Sequence, residues 1–117
     1  MEQKMENKMK FNIYQIYNGC PMAMHMKHRM NFSDNIGFEA ESAFAYNYYT
    51  HVANIEATDL DDVFEIGNIG QRSEIEIIKE TKMHSISVGD VIENDTTKEK
   101  FVVASLGFEE IEPETWI

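Results

Sequence analysis

The chain predicts an α+β fold: a single small domain with an antiparallel or mixed sheet of four to five strands and one or two helices packed on one face. Three stretches predict it. Residues 11–17 (FNIYQIY) are rich in aromatic and β-branched types, and Phe11, Ile13 and Gln15 alternate with Asn12, Tyr14 and Ile16. Residues 60–68 (LDDVFEIGN) follow Thr58-Asp59 and space apolar side chains at helical intervals. Residues 83–92 (MHSISVGDVI) and 101–111 (FVVASLGFEEI) flank a polar turn at residues 94–97, which reads as strand, turn, strand.

Taken in order, residues 1–9 are polar and read as a flexible tail ahead of a domain spanning 10–117. The first strand ends where Asn18-Gly19-Cys20-Pro21 punctuates a turn. Met22, Met24 and Met26 then recur every second residue, which predicts a second strand over residues 22–32 with Ala23, His25 and Lys27 on its other face. Residues 33–37 read as a loop and residues 38–46 as a short helix with Phe38 and Ala45 on one side. Alternation returns over residues 48–57, a further strand.

Thr58 then caps the clearest helix, whose first-turn aspartates suit the positive end of the helix dipole. Its buried stripe is Leu60, Val63 and Phe64, and Gly67-Asn68 ends it. Residues 69–81 fit a short helix or an irregular strand equally. The last strands are expected at 86–93 and 100–106, with a bend at Gly107-Phe108 before an acidic tail containing Trp116.

The 117 residues, 43% hydrophobic and 26% charged, suffice for one modest core. No run approaches the roughly 20 apolar residues of a membrane span, and the start lacks the apolar centre of a signal peptide. The single cysteine, Cys20, excludes an internal disulfide and fits a reducing cytoplasm. Charge is uneven. Residues 1–58 carry five Lys/Arg and six Asp/Glu, whereas residues 59–117 carry five and fifteen, giving a net −11 for the chain. Such an acidic half repels phosphate backbones, so direct nucleic-acid binding is not expected.

Catalytic and metal chemistry find little support. Cys20, His25 and His28 form C-x4-H-x2-H, short of a fourth ligand and unlike any standard zinc spacing. The Met-rich segment is better explained by packing than by soft-metal binding. His84, Ser85, Ser87 and Asp90 include the residue types of a hydrolytic triad but sit too close in sequence for one, and no G-x-S-x-G elbow occurs. Gly89-Asp90 reads as a tight bend in which Asp90 satisfies nearby amides, and Gly107 before Phe108 does similar work. Tyr46, Tyr48 and Tyr49 lack the interleaved basic residues of a base-stacking platform. No cofactor is expected.

With FNIYQIY, LDDVFEIGN, MHSISVGDVI and FVVASLGFEEI in this order, the chain resembles the YodL-like domain family of bacterial, mobile-element and phage proteins. The matching signature is His84-Ser85-Ile86-Ser87-Val88-Gly89-Asp90-Val91-Ile92, then Gly107-Phe108. The resemblance implies no catalytic residues, and for some members it implies interference with bacterial cell-shape machinery by binding cytoskeletal protein. The expected function is therefore that of a small acidic, non-enzymatic protein of phage or mobile-element origin. It would act in the bacterial host cytoplasm by binding and modulating a host protein. The expected contact surface is Asp59, Asp61, Asp62 and Glu65 together with Glu109, Glu110 and Trp116. An acidic nucleic-acid mimic that blocks a host DNA- or RNA-binding enzyme is the alternative. The Met-rich segment and an open strand edge each permit a homodimer.

Overall fold

The computed structural model describes residues 8–16, 20–69, 72–78 and 80–112. The first strand, β1 (Met9–Ile16), lies mid-sheet, and its burial explains why: Phe11, Ile13, Gln15 and Ile16 are all at most 3% exposed. It pairs antiparallel with β2 (Tyr49–Ala57) on one side and β4 (Val91–Asn94) on the other. β3 (Ile75–Ile77) extends the sheet beyond β2, while β5 (Lys100–Val103) and β6 (Phe108–Ile111) extend it beyond β4. The order is β3-β2-β1-β4-β5-β6, with every pairing antiparallel. Among the described residues the sheet thus has six strands where four to five were expected. The added members are β6, anticipated only as a bend before a tail, and the three-residue β3 within the ambiguous stretch.

Among the described residues three α-helices pack on the sheet: α1 (Pro21–Met30), α2 (Ile36–Ala45) and α3 (Leu60–Ile69). They cover both faces, not one. Adjacent strand residues point to opposite faces, and here they enter different cores. Ile92 and Val103 join Val63 and Ile66 of α3, whereas Val91 and Val102 join Met26 and Met30 of α1 and Ala40 and Ala43 of α2.

The methionine segment is α1, a helix where the two-residue spacing predicted a strand. Pro21 sits in the first turn, where its fixed φ suits a helix start, and the Cys20 carbonyl accepts the Ala23 and Met24 amides. Ala23, Met26 and Met30 are buried at helical spacing, while Met22 is 64% and Met24 39% exposed. Met, Ala and Lys are good helix formers, and that local preference prevails over the alternation.

The second helix begins two residues earlier than predicted and turns a different side inward. Ile36, Ala40 and Ala43 are buried, and Phe38 is 58% exposed. At α3 the cap is Asp59, not Thr58: Asp59 Oδ1 accepts the Asp62 amide at 2.8 Å, and Asp62 Oδ2 accepts the Thr58 amide at 2.9 Å. Ile66 replaces Phe64 in the buried stripe, and Gly67 lies inside the helix because it faces Ile86. At the start of the chain, Met9 already belongs to β1, and residues 1–7 of the expected tail lie outside the described residues.

Candidate functional site

The family-like signature lies on a segment that crosses the sheet. β3 is at one edge and β4 lies beyond β1, so residues 80–90 pass over β2 and β1. Residues 81–87 have no regular structure; the strand expected from residue 86 begins only at Val91. Such a crossing strips its backbone of ladder partners, and side chains supply them instead.

A bulge in β2 makes the first anchor. The register passes from Ile13↔Ala53 to Tyr14↔His51 and leaves Val52 between, whose carbonyl accepts the Ile78 amide at 2.9 Å and the Thr81 hydroxyl at 3.1 Å. Gln15 makes the second. Its Oε1 accepts the His84 amide and its Nε2 donates to the His84 carbonyl, both at 3.0 Å. The same Nε2 donates to Asp90 Oδ2 at 3.0 Å, and the Ser87 amide donates to that oxygen at 2.9 Å. Met83 and Ile86 pack into the core beneath α3. An added Cβ at Gly67 would lie 2.4 Å from Ile86 Cδ1, so the glycine permits this close approach.

The turn into β4 has Gly89 at φ +96° and links the two faces, because the Tyr49 hydroxyl donates to the Gly89 carbonyl at 2.6 Å. Asp90 is 2% exposed. Burial pushes its carboxyl up to about 6, against the opposing pull of the Ser87 amide, Lys27 and Gln15. Burial also pushes the Tyr49 hydroxyl well above its ordinary value, with the Asp90 charge adding to it.

The four residues whose types match a hydrolytic triad, but whose close spacing argues against one, are separated in the fold. The side chains of His84, Ser85 and Ser87 face outward, whereas Asp90 is buried and bonded to Gln15 and Ser87. Asp90 does satisfy a nearby amide, but one upstream of it. Gly107 adopts φ +83° at the β5–β6 turn and Phe108 opens β6.

The expected acidic surface divides. Asp59 and Asp62 are bound into the α3 cap. Glu109 Oε1 accepts the Gly37 amide at 3.1 Å, on the α2 side of the sheet. Asp61, Glu65 and Glu110 are exposed; Glu110 pairs with Phe101 and Phe101 with Ile92, which puts it on the α3 side. Phe64, 37% exposed on α3, meets Phe108 edge-on with ring centroids 6.4 Å apart. Trp116 lies outside the described residues.

Three features escaped the sequence reading. Gln15 was placed on its strand but given no task, although a polar residue continuing the Phe11/Ile13 stripe is the available signal. A second network surrounds Glu93, which is 6% exposed. Its Oε1 accepts Asn12 at 2.8 Å and the Tyr14 hydroxyl at 3.0 Å, and its Oε2 pairs with Lys100 at 3.1 Å. Burial opposes ionisation of Glu93, but Asn12 and Lys100 outweigh it and lower its pKa. Burial, with Glu93 beside it, pushes the Tyr14 hydroxyl up to about 12. The last feature is a cleft of about 350 Å³ whose lining includes Gly67, Ile75, Ile77, Met83, His84 and Ser85. Among the described residues no group of three or more His, Cys, Asp and Glu could hold a metal ion, and no helix is long and apolar enough to cross a membrane.

The family model described as the YodL-like domain matches residues 10–113. No curated protein and no solved structure matches.

Proposed function

Because the chain belongs to the YodL-like domain family, we propose that it is a non-enzymatic binding module, a small cytoplasmic protein of phage or mobile-element origin that binds and modulates a host protein. The observation that carries this reading is the outward face of α3. Asp61, Phe64, Glu65 and Asn68 are exposed at i, i+3, i+4 and i+7, with Phe64 against Phe108 and with Glu110 on the same side of the sheet. An aromatic pair beside carboxylates suits a partner with an apolar socket rimmed by basic residues. The family signature supports the same reading from the other side, since its buried carboxylate and backbone polar groups are engaged in holding the crossing segment.

Affinity capture from bacterial lysate, followed by binding with the purified partner, tests it. Asp61→Lys/Glu65→Lys and Phe64→Ala should each lose the partner that wild type retains; a variant that keeps it would remove this face from the contact. Binding should also survive moderate salt. Collapse between low and moderate salt would favour nucleic-acid mimicry instead. A turnover abolished by His84→Ala in an intact fold would replace both readings with an enzyme.

A further inference from the structure

Among the described residues the sheet ends in two edge strands, and their surroundings differ. β3 is three residues long and has cations close by: Lys8 lies 4.0 Å from Glu74, and Lys10 lines the adjoining polar hollow. β6 is the terminal strand on the other side, with no strand beyond it among the described residues. No basic residue occurs between positions 104 and 112, while Glu109, Glu110 and Glu112 do. Leu106, 93% exposed, marks one end of this edge, and half-buried Phe108 follows beside Phe64.

We infer that the outer edge of β6 receives an extended segment of a partner protein as a seventh strand, with an apolar and then a basic side chain two residues apart on its α3-side face. An edge strand presents unpaired backbone groups that a second chain can complete, while alternate side chains supply specificity. On the α3 side of the sheet, the incoming residue beside Phe108 and Phe64 meets an aromatic surface. Two residues along, the next side chain meets Glu110. That spacing calls for an apolar residue, one intervening residue, then Lys or Arg. Charge disfavours a second copy as the occupant, because pairing two β6 edges near the strand centre would bring their Glu109 and Glu110 carboxylates together. The inference rests on the reading of the chain as a binding module and adds the mode of contact and the chemistry of the bound segment.

The test uses three short, capped, fluorescein-labelled peptides: one in which valine and lysine alternate at every second position with serine between them (repeating Val-Ser-Lys-Ser), one of the same composition with the lysines in a block, and one alternating but N-methylated at every second residue. Fluorescence anisotropy reports affinity for the full chain, and amide hydrogen exchange reports the place of binding. The alternating peptide should bind at least about tenfold more tightly than either control, slow exchange at residues 108–111, and lose about tenfold in affinity on Glu110→Lys. Equal binding of the blocked peptide reduces the effect to general charge attraction and overturns the inference. Equal binding of the N-methylated peptide, or protection at β3 instead, overturns it as well. If these peptides fail while Asp61→Lys/Glu65→Lys still abolishes host-protein capture, strand addition falls and the binding-module reading stands. If that double variant and wild type retain the same partner, the α3 contact falls whatever the peptides do.

Discussion

At the residue scale, the bonds from Gln15 to His84 and Asp90 give the family signature a structural task, holding the crossing segment against β1. The folded Asp90 carboxyl titrates at about 6 against an ordinary 3.8, so the folded chain holds its proton more tightly than the unfolded chain. The resulting stabilisation is fully present below about 3.8 and is lost as pH rises through about 6, corresponding to at most roughly 3 kcal/mol. Asp90→Asn should therefore stabilise the protein at pH 7–8 and remove that loss between pH 4 and 6, because one amide oxygen can accept both the Ser87 and Gln15 donors. Urea midpoints across this range test it; a variant weaker than wild type at pH 7 would show that the carboxylate charge is needed. Gln15→Leu should cost about 2–4 kcal/mol, since it strands both backbone groups of His84 and one donor to Asp90. Denaturant unfolding at fixed pH measures that cost. The sequence made Asp90 legible as a turn residue, because Gly-Asp before two β-branched residues is a local signal. The Gln15–Asp90 bond was not legible, since it joins positions 75 apart.

At the scale of elements, local chemistry was readable where pattern and propensity agreed. In β1, β2 and α3 they did, and those elements stand near their expected boundaries. In residues 22–30 they conflicted: methionine every second residue suggested a strand, while Pro21 and the Met, Ala and Lys content favoured the helix that forms. The two arrangements make different predictions. On a strand, Met24 and Met26 share a face and respond alike to substitution. On α1, Met26 is 9% exposed against the sheet and Met24 is 39% exposed. Met26→Lys should then destabilise by about 2–4 kcal/mol and Met24→Lys by less than about 0.5 kcal/mol. Thermal or urea melts of the pair distinguish them, and equal effects would return the segment to a strand. β6 escaped notice for a related reason. FEEI has only two apolar residues and no alternation of its own, so it becomes a strand through pairing with β5.

At the scale of the molecule, one sheet holds two cores together. The clusters beneath α3 and beneath α1 and α2 share no residue, yet β1, β4 and β5 feed both, through Ile13 and Ile16, Ile92 and Val91, and Val103 and Val102. A strand cannot withdraw one of these side chains without displacing its neighbour. The Tyr49–Gly89 bond and the approach of Met30 Sδ to within 3.2 Å of where a Gly89 Cβ would stand tie the α1 side to the turn that ends the crossing segment. The crossing segment in turn carries Ile86 into the other core. Neither helical layer therefore has an independent route to unfolding, and the domain should melt in one transition. Val63→Ala on one side and Met30→Ala on the other should each lower that single midpoint, with a stability cost of about 2–5 kcal/mol for the methionine. Far-UV circular dichroism follows the backbone, and near-UV tyrosine signals follow the packing around Tyr14 and Tyr49 on the α1–α2 side. Coincident curves in both variants are expected. If Val63→Ala separates them, leaving the tyrosine signal intact after part of the backbone signal is lost, the two cores are independent and the crossing segment does not couple them.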